Sequence, residues 1–220
     1  MRKILLVTIV SLLASIALSA QECSTTWPYL YPQFTQGVVH LTGGSKLQHP
    51  LNVHVQKGRL HYVENGLVKE AMNRDIFFIQ IGEERYNVVN GDVMKVVATT
   101  EGGFVAAHYY ADMDKLRETG GAYGSSSTTQ ATRLLTSIDM VGANTNHMEM
   151  WQNRNSGESI SLICKYYLVT GKDVYPASKK GVETFLPESR LGEFKAFLKE
   201  NKIKWKDPQS LIKVVDFLKQ

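Results

Sequence analysis

Residues 50–110 form a ladder of short apolar runs cut at regular intervals by glycine turns: Lys57-Gly58, Asn65-Gly66, Gly82-Glu83-Glu84, Asn90-Gly91 and Gly102-Gly103. Between them lie runs of about six to eight residues rich in Val, Ile, Phe and Tyr, the spacing of an antiparallel meander. Two-residue loops at Lys57-Gly58 and Asn65-Gly66 would set the register. Val55 then faces Leu60 and Leu60 faces Ala71. One row over, His54 faces His61 and His61 faces Glu70. The pleat sorts Leu51, Val53, Val55, Leu60, Tyr62, Leu67 and Ala71 onto a core face. It leaves Asn52, His54, Gln56, Arg59, His61 and Glu70, with Val63 and Val68, on a face turned to water. The hairpin on Asn90-Gly91 repeats this chemistry, so that Tyr86 faces Lys95 as Tyr62 faces Lys69.

The rest of the chain extends this sheet and then covers it. Four aromatics, Trp27, Tyr29, Tyr31 and Phe34, are interrupted by Pro28 and Pro32, which excludes a helix and predicts an extended lead-in packed across the sheet. Asp75–Ile81 and Phe104–Tyr110 are apolar on both faces, as central, doubly covered strands are. Further strands are expected at Gly37–Leu41, Arg133–Met140, His147–Gln152, Ile160–Thr170 and Lys172–Ala177, with a short helical turn in Ala111–Thr119. After Ser178, Pro187–Asn201 carries Leu191, Phe194, Phe197 and Leu198 at helical spacing. Asp207-Pro208 is a cap and first-turn signal for a last helix bearing Leu211, Ile212, Val215 and Leu218. The expected class is α+β: an antiparallel meander sheet, curled or sandwich-like, covered by two C-terminal helices. Residues 1–20 read as a signal peptide, 21–178 as the β-rich domain and 179–220 as the helical segment packed on it.

Arg2 and Lys3, the apolar stretch Ile4–Leu18 and the small pair Ser19-Ala20 have the layout of a secretory signal, with an apolar core too short for a comfortable membrane span. Cleavage after Ala20 predicts an exported chain, periplasmic or at the cell surface, with no transmembrane segment. The formal charge of +4 falls to +2 once Arg2 and Lys3 leave, too weak an excess for a nucleic-acid binder. Two cysteines remain. In an oxidising compartment Cys23 and Cys164 can pair, closing a loop of roughly 140 residues. Equally, Cys164 can be a small buried hydrophobe and Cys23 a thiol in a loose tail. The absence of Cys-x-x-Cys removes support for a thioredoxin-type site.

Three constellations have chemical content. The row His54, His61 and Glu70 sets two imidazoles and a carboxylate on adjacent strands, about 5 Å apart along one face, the donor set of a zinc or other divalent-metal site. The bland reading is a solvated polar row in which Glu70 pairs with His61. Gly120–Ser127 looks like a phosphate-cradling loop but lacks the Gly-Lys-Ser/Thr ending and the helix that follows it. As a long loop it offers Tyr123, Ser125 and Ser126 as ligand contacts. Lys195, Lys199, Lys202, Lys204 and Lys206 surround Trp205, but Glu193, Glu200 and Asp207 interleave, which favours a solvated helix face over a polyanion or membrane contact. Ser210-Leu211-Ile212-Lys213 is a chance match to Ser-x-x-Lys at the start of a capped helix.

The strings Tyr31–Gly37, Leu51–Gly66 and Gly121–Ser127 resemble small exported proteins of uncharacterised function from Bacteroidetes-type bacteria. The shared features are a Phe-x-x-Gly-x-Val start, an Asn-containing strand after it, and an Ile-Gly-x-x-x-Tyr/Phe hairpin, here Ile81-Gly82 and Tyr86. The resemblance implies an envelope location and brings no catalytic residues and no resident cofactor. The expected function is a non-catalytic envelope protein that binds a ligand or an envelope partner through its polar sheet face or the Gly/Ser loop. The alternatives are a metal-dependent enzyme built on the His54, His61 and Glu70 row, and an assembly factor that docks by adding a strand at a sheet edge.

Overall fold

The Asn-Gly pairs act as the pattern requires. In the computed structural model, which describes residues 23–118, 145–155 and 159–219, Asn65 and Gly66 have φ of 53° and 77°, and Asn90 and Gly91 have 52° and 89°. Two consecutive left-handed residues make the tight turn whose twist matches the flanking strands, and Asn-Gly supplies them with little strain. Hence β4 (Arg59–Glu64) pairs with β5 (Leu67–Glu70) with His61 opposite Glu70 and Tyr62 opposite Lys69. Likewise β7 (Glu84–Val89) pairs with β8 (Asp92–Thr100) with Tyr86 opposite Lys95.

Lys57-Gly58 departs from this pattern. Gly58 alone is left-handed, with φ of 56°, because a lysine does not take that conformation cheaply. The connection widens to Val55–Gly58, and β3 (Lys46–His54) slips two places against β4, so that His54 lies opposite Arg59 and Asn52 opposite His61. A slip of two preserves which face every side chain occupies. The wider turn is bonded outward as well: Val93 N–H donates to Gly58 O at 2.7 Å and Ala111 N–H to Val55 O at 2.9 Å.

Among the described residues the remaining strands are β1 (Ser24–Thr25), β2 (Thr35–Leu41), β6 (Ile76–Ile81), β9 (Gly103–Ala111), β10 (Thr145–Asn146), β11 (Ile160–Thr170) and β12 (Asp173–Pro176). One antiparallel sheet runs β1-β11-β9-β8-β7-β6-β2-β3-β4-β5-β10, with β12 beside β11. It curls into a half-barrel, and the β3–β4 turn reaches across to β8 and β9. Inside the curl Val39, Leu51, Leu60, Ile79, Ile81 and Tyr86 form the core. Gly37 in the Phe-x-x-Gly-x-Val string is a close-approach position: a Cβ there would sit 2.5 Å from Gln80 O and 2.7 Å from Leu51 Cδ1.

Helices complete the fold: α1 (Met113–Glu118), α2 (His147–Gln152), α3 (Lys179–Glu183), α4 (Glu188–Asn201) and α5 (Pro208–Lys219). The two C-terminal helices bury Phe194, Leu211, Val214, Val215 and Leu218 against Val105 and Leu168 of the sheet. They cover β8, β9 and β11 rather than β6. Phe77 on β6 is therefore left 61% exposed, although its strand reads as doubly covered. His147–Gln152 is helix, not strand. Its apolar alternation misleads because Asn146 caps it, accepting from Met148 N at 2.9 Å and Glu149 N at 3.2 Å, and Met, Glu and Gln favour helix. Among the described residues no helix is long and apolar enough to cross a membrane. The signal segment 1–20, the expected strand 133–140 and the loop with Tyr123, Ser125 and Ser126 lie outside the described residues.

Candidate functional site

The supposed wet face of β3 and β4 is dry. Asn52, His54 and His61 are 0%, 0% and 1% exposed, because residues 27–34 fold down over them and bury Trp27, Tyr29 and Phe34 against Val68, with Met150 and Trp151 of α2. Asn52 is the seat of this lead-in. Its Oδ1 accepts from Tyr31 N at 3.0 Å, and its Nδ2 donates to Tyr31 O at 3.0 Å and Gln33 O at 3.2 Å. One side chain thus supplies the bonds a neighbouring strand would otherwise supply.

His54 and His61 stay neighbours despite the slip, with ring centroids 5.0 Å apart, yet both Nδ1 atoms are engaged by protein. Tyr29 Oη bonds His61 Nδ1 at 2.9 Å. Burial, then the charge of Glu70, pushes the Tyr29 phenol well above its ordinary value, so it keeps its proton. His54 Nδ1 accepts from Lys57 N at 3.3 Å. Burial, with Lys57 adding to it, lowers His61 to about 4. Glu70 Oε2 lies 3.5 Å from His61 Nε2, an ion-pair distance were the ring charged but no hydrogen bond, and Nε2 is buried without a partner. Glu70 is half in water, with 48% of its side chain exposed, so its charge does not offset the burial of the ring. Among the described residues no group of three or more His, Cys, Asp or Glu is placed to hold a metal ion, so His54, His61 and Glu70 do not assemble as one.

Within the curl a second network escaped sequence reasoning. Glu84 bonds Lys95 through Oε1 and Tyr31 through Oε2, and Tyr86 Oη donates to the same Oε2 at 2.9 Å. Burial pushes Glu84 up, but these bonds outweigh it and hold its carboxyl below the ordinary value. The pairing of Tyr86 with Lys95 was legible from the turn. The carboxylate two residues before Tyr86 was the available signal for the rest. This network is mutually satisfied and serves as a clasp between the lead-in and the sheet.

Cys23 and Cys164 are both free and exposed, which overturns both the disulfide and the alternative of Cys164 as a small buried hydrophobe, although the segments adjoin, Leu162 N–H donating to Cys23 O at 2.8 Å. Cys164 instead lines a cleft of about 790 Å³ with Lys165, Tyr166, Tyr167, Trp205 and Lys206. Trp205 also lines a second groove, of about 370 Å³, with Lys179, Lys195, Lys199 and Lys202, Leu198 and Ile203. No Asp or Glu lines either one. Local bonds hold the turn that carries Trp205: Lys204 N donates to Ser210 Oγ at 2.9 Å and Gln209 N to Asp207 Oδ1 at 3.0 Å. Ser210 is thereby a structural acceptor. The opposite wall is strand β11 and helix α3, the latter capped by Ser178, whose Oγ accepts from Gly181 N at 3.0 Å. Among the described edge strands β1 and β10 are two residues each and β12 is four, short templates for strand addition. No protein-family model, curated protein or solved structure matches the chain.

Proposed function

We propose that the mature chain is an exported, non-catalytic envelope protein, periplasmic or at the cell surface, and that it binds its ligand in the cleft beside Trp205. The layout of residues 1–20 supports export. One observation carries the binding site: Trp205 lines two open grooves with six lysines and two tyrosines on their walls, whereas the polar row on β3 and β4 is sealed beneath residues 27–34. Concave surfaces with aromatic walls and a few convergent polar groups are where ligands bind. The cleft belongs to a sheet strand and pinned helix termini, which hold its shape.

Envelope extract passed over the immobilised mature protein and over its Trp205→Ala variant tests this reading. The wild-type protein should retain a component that the variant releases, with both proteins folded by circular dichroism. Equal retention by the two would refute the assignment of the site.

A further inference from the structure

We infer that the occupant of this cleft is an acidic polysaccharide, a chain of sugar rings bearing carboxylate or sulfate groups; the inference rests on the Trp205 cleft being the ligand site. The indole is the wall common to both grooves. A chain crossing from one to the other would lay a ring against Trp205 and extend its substituents toward Lys206 in the larger groove and Lys179, Lys195, Lys199 and Lys202 in the smaller.

No carboxylate lines the grooves; of the six lysines, Lys179 lies 4.0 Å from Glu183 and the Lys165 ammonium lies over the Tyr110 ring at 5.2 Å. Lys195, Lys199 and Lys202 follow one another four and three residues apart, so they share one stripe of α4 and its end, where like charges work against the helix. The negative end of the helix dipole offsets only part of that repulsion. Lys202 also adopts φ 47° and ψ 51° at the helix C-cap, a left-handed conformation in which glycine is the unstrained choice. A residue that is strained and repelled, yet cationic and beside the indole, has its compensation in what it binds.

The same walls argue against the other polyanions. A single indole is a poor track for successive nucleobases, which use several stacking platforms. Two grooves sharing a partly buried ring do not match a flat bilayer surface.

The test is titration of the whole mature protein with polygalacturonate and with heparin, followed by tryptophan fluorescence. Neutral dextran, phosphatidylglycerol vesicles and oligo-dT serve as comparisons. Both acidic glycans should quench saturably, less so at high salt, while dextran has no effect. Lys195→Gln with Lys199→Gln should weaken glycan binding about tenfold with a melting temperature no lower than that of the wild type, and Trp205→Ala should abolish the quench. The inference is overturned if neither glycan binds, if vesicles or oligo-dT bind as tightly as the glycans, or if the double Gln variant binds unchanged. Where Trp205-dependent capture from envelope extract persists but the glycans fail, the glycan assignment falls and the cleft remains the site. Where capture does not depend on Trp205, the cleft itself falls.

Discussion

Two regions of this molecule set basic and hydroxylated side chains against aromatic rings, and they resolve the conflict in opposite ways. Beneath the lead-in, Asn52, His54, His61 and Tyr29 are almost wholly buried, and the bonds of Asn52, Tyr29 and the two Nδ1 atoms are made by protein. Beside Trp205, six lysines face open grooves with no acid on the walls. Burial forces polar groups to find partners inside the fold, and groups so engaged have little left for a ligand. Exposure lets a charge keep its water without a partner in the fold, which is why the proposed binding site is placed there.

The largest test of that contrast is truncation on each side. Tyr29→Ala removes a fully buried ring and orphans His61 Nδ1, and should cost roughly 3–5 kcal/mol in urea denaturation. Trp205→Ala, at a partly exposed ring, should cost about 1–2 kcal/mol. Equal costs would erase the distinction between a sealed and an open region.

Acid separates the two next. The unfolded chain protonates His61 near 6.5, whereas the folded chain resists until about 4, so below 6.5 the unfolded state binds more protons. The stability conferred is complete above pH 6.5 and is lost as pH falls from 6.5 toward 4, about 3 kcal/mol in all. Measured at pH 7 and pH 4.5, the wild-type chain should weaken markedly. Tyr29→Phe combined with His61→Leu, which removes both partners together, should show a visibly shallower decline. An identical slope would remove His61 from the account.

The smallest effect runs in the opposite direction. Lys202→Gly relieves the left-handed backbone at the end of α4 and should raise stability by about 0.5–1 kcal/mol while weakening glycan binding. A variant no more stable than wild type would show that Lys202 is not strained, and one that binds glycan as tightly would show that its charge is idle.

Much of this contrast was half visible beforehand. Asn65-Gly66 and Asn90-Gly91 set two hairpins correctly, and with them His61 opposite Glu70 and Tyr86 opposite Lys95. Lys57-Gly58 was read as a third such turn and was not, since only its second residue takes a positive φ. The period of two in a strand kept His54 and His61 on one face all the same. The aromatic lead-in was expected across the sheet, but on no stated face, so the row it covers was left in water. The helix at His147–Gln152 was missed because alternation was weighed above its Asn146 cap. In the lysine cluster around Trp205 the interleaved acids suggested a neutralised surface, although Glu193, Glu200 and Asp207 line neither groove.

By itself the sequence determined the α+β class, the meander, two of the register-setting turns and the two C-terminal helices. All of these follow from interactions between residues a few positions apart: glycine and asparagine at positive φ, alternation in strands, caps and apolar stripes in helices. Tertiary structure alone decided which polar face was sealed and where open grooves with lysines and no acid on their walls remained. The first depends on residues 27–34 docking onto residues 52–61, and the second on residues 164–167, 176–179 and 195–206 meeting around one indole. Contacts at such separations leave no local period in the chain, because burial is a property of what arrives from elsewhere. The glycine ladder therefore built the scaffold correctly, and the candidate site lies outside it.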